Sequence, residues 1–136
     1  MVRRGARRRV ERSDWTTFLA AAEENYLGAC ALQETRKYRA AGILFVHAAI
    51  ALTDALTVRS GGVKSTGERH QEAIDLVREF LPDTGGLGQA MRHLEGILHE
   101  KNRVSYTGGT FTAGDIARMR THYERFTSWV KEQFRT

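Results

Sequence analysis

Residues 42–56 read GILFVHAAIALTDAL, and they decide the fold because only His47, Thr53 and Asp54 interrupt an otherwise apolar run. A helix that is apolar on nearly every side belongs in the middle of a core. The run is shorter than the roughly 20 residues that a bilayer span requires. We therefore expect a central core helix over about 39–59, with Asp54 as one candidate partner for a buried His47.

The segments on both sides of this helix show apolar residues at every third or fourth position. This spacing predicts amphipathic helices over about 14–37, 68–80 and 87–106, and a last one that follows Thr112. Thr112 and Asp115 have the spacing of a capping box. Residues 60–67 are predicted to form a turn-rich connector. No stretch alternates between apolar and polar residues for long enough to predict a strand. The expected fold is all-α, an up-and-down bundle of four to five helices.

The charge of the chain is concentrated at its N-terminal end. Residues 1–12 hold six of the 21 basic residues and one of the 16 acidic residues, which leaves 15 of each sign elsewhere. We interpret residues 1–13 as a flexible basic arm and residues 14–136 as one helical domain. The arm either attracts nucleic acid or another polyanion, or is a solvated tail. Its arginines are Arg3, Arg4, Arg7, Arg8, Arg9 and Arg12.

Several classes of protein are disfavoured by the sequence. The single cysteine, Cys30, lies on an apolar stripe and excludes an intrachain disulfide. Ser13-Asp14-Trp15 stands where a secretory signal needs about 7–15 apolar residues, and the stretch after it is amphipathic, so we expect a cytoplasmic protein without a membrane partner. The spacing of the histidines predicts no metal site, and we expect no cofactor.

The connector contains a glycine-rich stretch, GGVKSTG at residues 61–67, whose composition is similar to that of a phosphate loop. Val63 stands where such a loop needs glycine, and a helix precedes it instead of a strand, which argues against nucleotide hydrolysis. A simpler anion site remains open, with Lys64, Arg69 and His70 beside a helix N-terminus. The alternative is an ordinary capped connector.

The fourth predicted helix carries a polar face. Helical spacing aligns Glu95, His99, Asn102, Arg103 and Tyr106. An imidazole that removes the 2′-hydroxyl proton and a guanidinium that stabilises the phosphate are the groups that metal-independent RNA cleavage requires. The alternative is a solvated helix face with a Glu95–His99 pair.

Three stretches in this order resemble the HEPN superfamily of small α-helical domains: FVHAAIALTDAL (45–56), GGVKSTGERH (61–70) and KNRVSY (101–106). The resemblance covers about residues 14–134. It implies a bundle of four to five helices, a homodimer, and a place in toxin–antitoxin or defence systems. HEPN ribonucleases carry an Arg that is followed, after four to six further residues, by a His. In this chain Lys101 stands at the place of the Arg, and Ser105-Tyr106 stand at the place of the His. Arg92 and His99 have the required spacing, but they lie one to two helical turns before the place where the resemblance puts this motif.

Two hypotheses follow. The first is a non-catalytic or degenerate HEPN-like binding module, dimeric, whose ligand is RNA, a nucleotide or an antitoxin-like protein partner. The second is a metal-independent endoribonuclease toxin in which His99 is the base and Arg92 or Arg103 stabilises the phosphate. In addition to His99, Arg92 and Arg103, the candidate binding residues are Glu95, Lys101, Asn102, Tyr106, Lys64, Arg69 and His70.

Overall fold

The computed structural model describes residues 6–67, 69–82, 84–106 and 109–135, with the Tyr106 side chain left out. This part of the chain is mostly α-helical, which confirms the all-α class. A short 3₁₀ turn, Arg12–Asp14, precedes the first helix, and a two-stranded antiparallel ribbon consists of β1 (Arg7–Arg9) and β2 (Val63–Ser65). The helices are α1 (Trp15–Glu34), α2 (Tyr38–Gly61), α3 (His70–Phe80), α4 (Leu87–Leu98), α5 (Lys101–Tyr106) and α6 (Ala113–Phe134).

Helix α2 lies at the centre, as the apolar run predicts. It contacts all five other helices, and Phe45, Leu52 and Leu56 are almost completely buried along it. By length and composition α2 also suffices to cross a membrane, with a mean hydropathy of 1.8 over its most apolar window. Of that window, 72% is buried inside the protein, so the other helices cover most of its apolar surface.

Helix α1 ends in a tight turn that reverses the chain into α2. The Arg36 N–H donates to the Gln33 carbonyl (3.0 Å), and the Lys37 N–H donates to the Leu32 carbonyl (2.9 Å). This is the hydrogen-bond pattern of a Schellman motif, in which glycine usually takes the left-handed position. Arg36 occupies that position here with φ of 61°. An arginine therefore holds a conformation that is strained for any residue with a side chain.

The ribbon overturns two expectations from the sequence. Residues 63–65, predicted to lie in a connector, form a strand that pairs with Arg7–Arg9, with Arg8 opposite Lys64. The ladder is flanked by bonds from the Val10 N–H to the Gly62 carbonyl (2.9 Å) and from the Thr66 N–H to the Ala6 carbonyl (3.0 Å). The segment predicted as a flexible arm is therefore folded onto the helices from residue 6 onward. Arg3 and Arg4 lie outside the described residues.

The fourth predicted helix is also shorter than expected. Helix α4 ends at Leu98, His99 and Glu100 form a turn, and α5 begins at Lys101. Val104 on α5 is buried against α2, where a Cβ at Gly42 would lie only 2.6 Å from its Cγ1. The break allows α5 to dock on α2. The prediction of one continuous helix that aligns residues 95–106 is therefore wrong.

Candidate functional site

Arg103, one of the two candidate stabilisers, is held by carboxylates. Its Nη2 lies 3.0 Å from Asp115 Oδ2 and its Nη1 lies 3.1 Å from Glu100 Oε2. The guanidinium also lies 5.3 Å from the centre of the Phe111 ring. The hydrogen bonds to Asp115 and then to Glu100 raise the pKa of Arg103 above its ordinary value. The positive charge of Arg103 is thus balanced within the protein.

Asp115 belongs to the predicted capping box of α6, which the structure confirms. The Asp115 N–H donates to Thr112 Oγ1 (3.2 Å), and the Thr112 N–H donates to Asp115 Oδ2 (2.9 Å). The backbone of Thr112 and then Arg103 lower the pKa of the Asp115 carboxyl to about 2. Arg118 adds a third contact, Nη2 to Oδ1 at 2.5 Å. Arg103 therefore belongs to the ion cluster at the start of α6.

Arg92 and His99 take no part in the ion pairs of that cluster. Both are exposed, and the seven positions from Arg92 on α4 to its C-cap residue His99 place them on one side of the helix, about 10 Å apart along its axis. Arg92 donates from Nη2 to Gln89 Oε1 (2.5 Å) on the same helix. Glu95 is exposed between them. The structure thus brings Arg92, Glu95 and His99 onto one face, whereas Arg103 is engaged with α6.

The other candidate binding residues are divided between two regions. Lys101 and Asn102 are exposed on α5, while the side chain of Tyr106 lies outside the described residues. Arg69 and His70 are exposed where α3 begins. The predicted binding residues of α5 and those at the start of α3 therefore lie exposed on different elements.

Lys64 is directed to the interior. Its Nζ lies 3.5 Å from Asp54 Oδ2 and 5.2 Å from the centre of the Phe18 ring. Burial raises the pKa of Asp54 to about 6, although Lys64 and then Arg8 act to lower it. The expected pairing of Asp54 with His47 is wrong, because His47 is exposed. Lys64 neutralises a buried carboxylate instead of completing an anion site at the N-terminus of α3.

Two of the arginines in the N-terminal segment hold it to the helices. Arg7 donates to both carboxylate oxygens of Glu79 on α3, at 2.7 and 3.3 Å. Arg12 donates to the carbonyl of Arg59 from Nε and Nη2, at 3.1 and 2.8 Å. Arg8 and Arg9 are exposed on β1. Some of the basic residues that suggested a polyanion-binding arm therefore have a structural role, and others remain at the surface.

The sequence analysis missed a pair of histidines, His93 on α4 and His122 on α6. Their Nδ1 atoms lie 3.0 Å apart. A Cβ at Gly96 would lie 2.8 Å from Cδ2 and Nε2 of His122, so the missing side chain makes room for the ring. Burial, and then the charges of His122, Arg125 and Arg92, lower the pKa of His93. A glycine inside an amphipathic helix, here Gly96, is the sequence signal that could have indicated the close approach of another side chain to α4.

A groove of about 300 Å³ lies beside this pair, between α4 and the second half of α6. Its lining includes His93 and Gln89 on one side, and Arg125, Ser128 and Trp129 on the other. Among the described residues, no group of three His, Cys, Asp or Glu side chains could hold a metal ion. The groove therefore combines an imidazole and a guanidinium without a metal-ligand set.

No known protein family, curated protein or solved structure matches this chain. The HEPN resemblance stays a prediction.

Proposed function

We propose that this chain is a non-catalytic HEPN-like helical module that binds RNA through a basic ribbon, defined here as Arg8 and Arg9 of β1 together with the exposed Arg69. The observation that carries the proposal is the exposure of Arg8 and Arg9 on a strand that is fixed at both ends. Arg7 anchors one end to Glu79, and Arg12 anchors the other to the end of α2.

A fixed strand favours phosphate binding over a free tail. Arginines contact phosphates through several N–H donors, and each contact adds affinity that falls with salt. Because the β1 backbone is already ordered, binding requires less loss of conformational freedom than for a disordered tail. Arg69 is included because it is exposed three residues after Thr66, whose N–H donates to the Ala6 carbonyl beside the start of β1.

The ion pairs of Arg103 support binding rather than cleavage. A general base and a charge stabiliser must reach the same phosphate. Arg103 is engaged by Asp115 and Glu100, while His99 is exposed just after α4. A homodimer, an antitoxin-like protein partner and a cytoplasmic location belong to the same proposal, and they rest on the sequence alone.

A metal-independent endoribonuclease is the second candidate. It is favoured by one observation, the exposure of Arg92 and His99 on the same face of α4. A chelator-resistant RNA cleavage assay, run beside His99→Ala, separates the two functions. We expect no cleavage by either protein. Cleavage by the wild type that is abolished in His99→Ala would replace the binding proposal with the ribonuclease.

The RNA-binding proposal is tested by fluorescence anisotropy with a labelled single-stranded RNA over a range of salt concentrations. The variant Arg9→Gln/Arg69→Gln should weaken binding, and the slope of log K against log salt should become shallower by roughly 0.7 for each phosphate that is no longer neutralised. A matched control, Arg36→Gln/Lys37→Gln, makes the same charge change at the opposite end of α2, about 36 Å away.

The control should keep the wild-type slope and nearly the wild-type affinity. Equal weakening by the two double variants would show that net charge alone attracts RNA, and the basic ribbon would lose its role.

A further inference from the structure

We propose that the groove between α4 and α6 binds the phosphate group of a phosphomonoester, held by His93 and Arg125. This inference goes beyond the basic ribbon, because it uses different helices and a different kind of ligand.

An Nδ1–Nδ1 distance of 3.0 Å is a hydrogen-bond distance. One of the two nitrogens must therefore donate a proton while the other accepts it. If both nitrogens carried a proton, two N–H groups would face one another across this short distance. The pair in the free protein thus shares one proton between α4 and α6.

The position of the pair depends on a glycine. The ring of His122 lies against the backbone of Gly96, where any side chain would collide with it. Glycine weakens the interior of a helix, yet it is the residue that allows this approach. The contact is therefore specified by the sequence at three positions: 93, 96 and 122.

The charges around the groove favour an anion. His93 lines the groove from α4 and Arg125 lines it from α6, and the positive charges of Arg125 and Arg92 both act on His93. Glu132 is the acidic residue in the lining, seven positions along α6 from Arg125. The two guanidiniums outweigh this single carboxylate, so a metal cation would be repelled and an oxyanion attracted.

Neutral donors add to this preference. Gly86, the N-cap residue of α4, lines the groove and has no side chain that could cap the helix. The Leu87 N–H donates to the Thr84 carbonyl (3.2 Å), so the other N–H groups of the first turn and the positive end of the helix dipole are what this helix end offers to the groove. Ser128 supplies a hydroxyl group from α6. Together with His93 and Arg125, these donors suit the several oxygens of a phosphate.

The volume of the groove indicates an organic phosphate. About 300 Å³ exceeds what the anion alone fills, and Ala90 and Trp129 provide an apolar wall. The Trp129 indole N–H donates to the Gly85 carbonyl at 2.9 Å, which fixes the ring in place. A free nucleotide and the 5′-phosphate end of an RNA both present this chemistry.

Binding should be coupled to protonation of the histidine pair. Burial, His122, Arg125 and Arg92 all disfavour a positive charge on His93 in the free protein and lower its pKa. A bound dianion opposes these effects, so His93 takes up a proton when the anion binds. Affinity then rises as the pH falls through the range in which His93 titrates.

Inorganic sulfate is the first probe, because it stays a dianion near neutral pH and its own titration cannot contribute. We would follow the ring C–H resonances of the histidines by NMR during sulfate titrations at pH 8, 7 and 6. His93 and His122 should shift saturably while His99 should not. Affinity should rise with acidification, by no more than about tenfold per pH unit for one linked proton.

Two variants test the ligands. Arg125→Gln changes an exposed side chain, should leave the fold intact and should weaken sulfate binding by about tenfold or more. Its matched control is Arg78→Gln, an exposed arginine on α3, which should bind as the wild type does. His93→Gln should weaken binding and abolish its pH dependence, with His99→Gln as the control.

Three outcomes would overturn the proposal: a sulfate response of His99 equal to that of His93, equal affinities in Arg125→Gln and Arg78→Gln, or a response of the pair to Zn²⁺ with none to sulfate. A nucleoside monophosphate and RNAs with a 5′-phosphate or a 5′-hydroxyl then distinguish the two sources. Arg9→Gln/Arg69→Gln should leave sulfate affinity unchanged, so failure of the groove and failure of the basic ribbon can be told apart.

Discussion

Arg36 illustrates how one residue limits the stability of this protein. It takes the left-handed conformation at φ of 61°, which costs a residue with a side chain about 1–2 kcal/mol. Arg36→Gly removes this strain but adds conformational freedom to the unfolded chain. We expect the free energy of unfolding to rise by about 0.5–1 kcal/mol, measured by urea denaturation.

Lys37→Gly is the control, since Lys37 has φ of −94° and glycine gains nothing there. It should lower the free energy of unfolding. A loss of stability in Arg36→Gly equal to that in Lys37→Gly would contradict the strain argument.

Asp54 should give the protein a distinct dependence on pH. Its carboxyl has a pKa of about 6 in the folded state, above the ordinary value of 3.8. The folded state therefore holds this proton more tightly than the unfolded state does. Its contribution to stability is complete below pH 3.8 and is lost as the pH rises through 6, a change of order 2–3 kcal/mol.

Urea denaturation of the wild type and Asp54→Asn at several pH values between 4 and 7 measures this contribution. The wild type should lose stability relative to the variant as the pH rises. Parallel profiles for the two proteins would show that the Asp54–Lys64 pair fully offsets the burial of the carboxylate.

Single residues of the candidate site differed in how well the sequence predicted them. Thr112 and Asp115 were predicted correctly because a capping box depends on neighbours within one helical turn. His47 was predicted to need a partner, but it is exposed although α2 is apolar nearly all round. The His93–His122 contact joins residues that are 29 positions apart, so no local sequence pattern predicts it.

At the level of elements, the docking of α5 on α2 depends on Gly42. A Cβ there would lie 2.6 Å from Val104 Cγ1 and 3.2 Å from Phe111 Cε1. Gly42→Ala gains up to about 1 kcal/mol of helix propensity but forces these side chains apart, which costs about 1–3 kcal/mol. We expect a net loss of stability, measured by thermal denaturation.

Gly88→Ala on α4 is the matched change. A Cβ at Gly88 meets no atom within 4 Å, so the propensity gain is unopposed and stability should rise. An increase in thermal stability in both Gly42→Ala and Gly88→Ala would show that α5 can move away from α2 without loss of stability.

Long elements were predicted well, and short ones were not. Helices α1, α2 and α6 have 20, 24 and 22 residues, and the apolar run of α2 is too long for a strand. Each strand of the ribbon has three residues, and β1 consists only of arginines. Its pairing is decided by contacts of Arg7 and Arg12 with distant residues. The break after Leu98 likewise depends on the docking of Val104.

Across the whole molecule, arginines from other parts of the chain satisfy the carbonyls at three helix ends. Arg12 donates to the carbonyls of Arg59 and Ser60 at the end of α2. Arg39 donates to the carbonyls of Arg103 and Val104 in α5, and Arg59 donates to those of Gln133 and Phe134 in α6. Positive charge at a helix C-terminus is stabilising. Much of the basic composition is thus explained by the fold.

Truncation tests this structural role. Deletion of residues 1–12 removes the strand, the ion pair with Glu79 and the hydrogen bonds of Arg12. We expect the free energy of unfolding to fall by about 2 kcal/mol or more. Deletion of residues 1–5 leaves all of these contacts in place and is the control. Equal stability of the two truncated proteins, measured by urea denaturation, would contradict the anchoring of β1.

The pairing of β1 with β2 has a consequence for how the protein is made. Residue 63 follows residue 9 by 54 positions, so the ribosome must add the whole α1–α2 hairpin before the first strand finds its partner. At about 5–20 residues per second, this delay lasts roughly 3–11 s. Strand β1 is therefore translated well before it can pair, and its guanidinium groups stay solvated on the nascent chain until β2 has emerged.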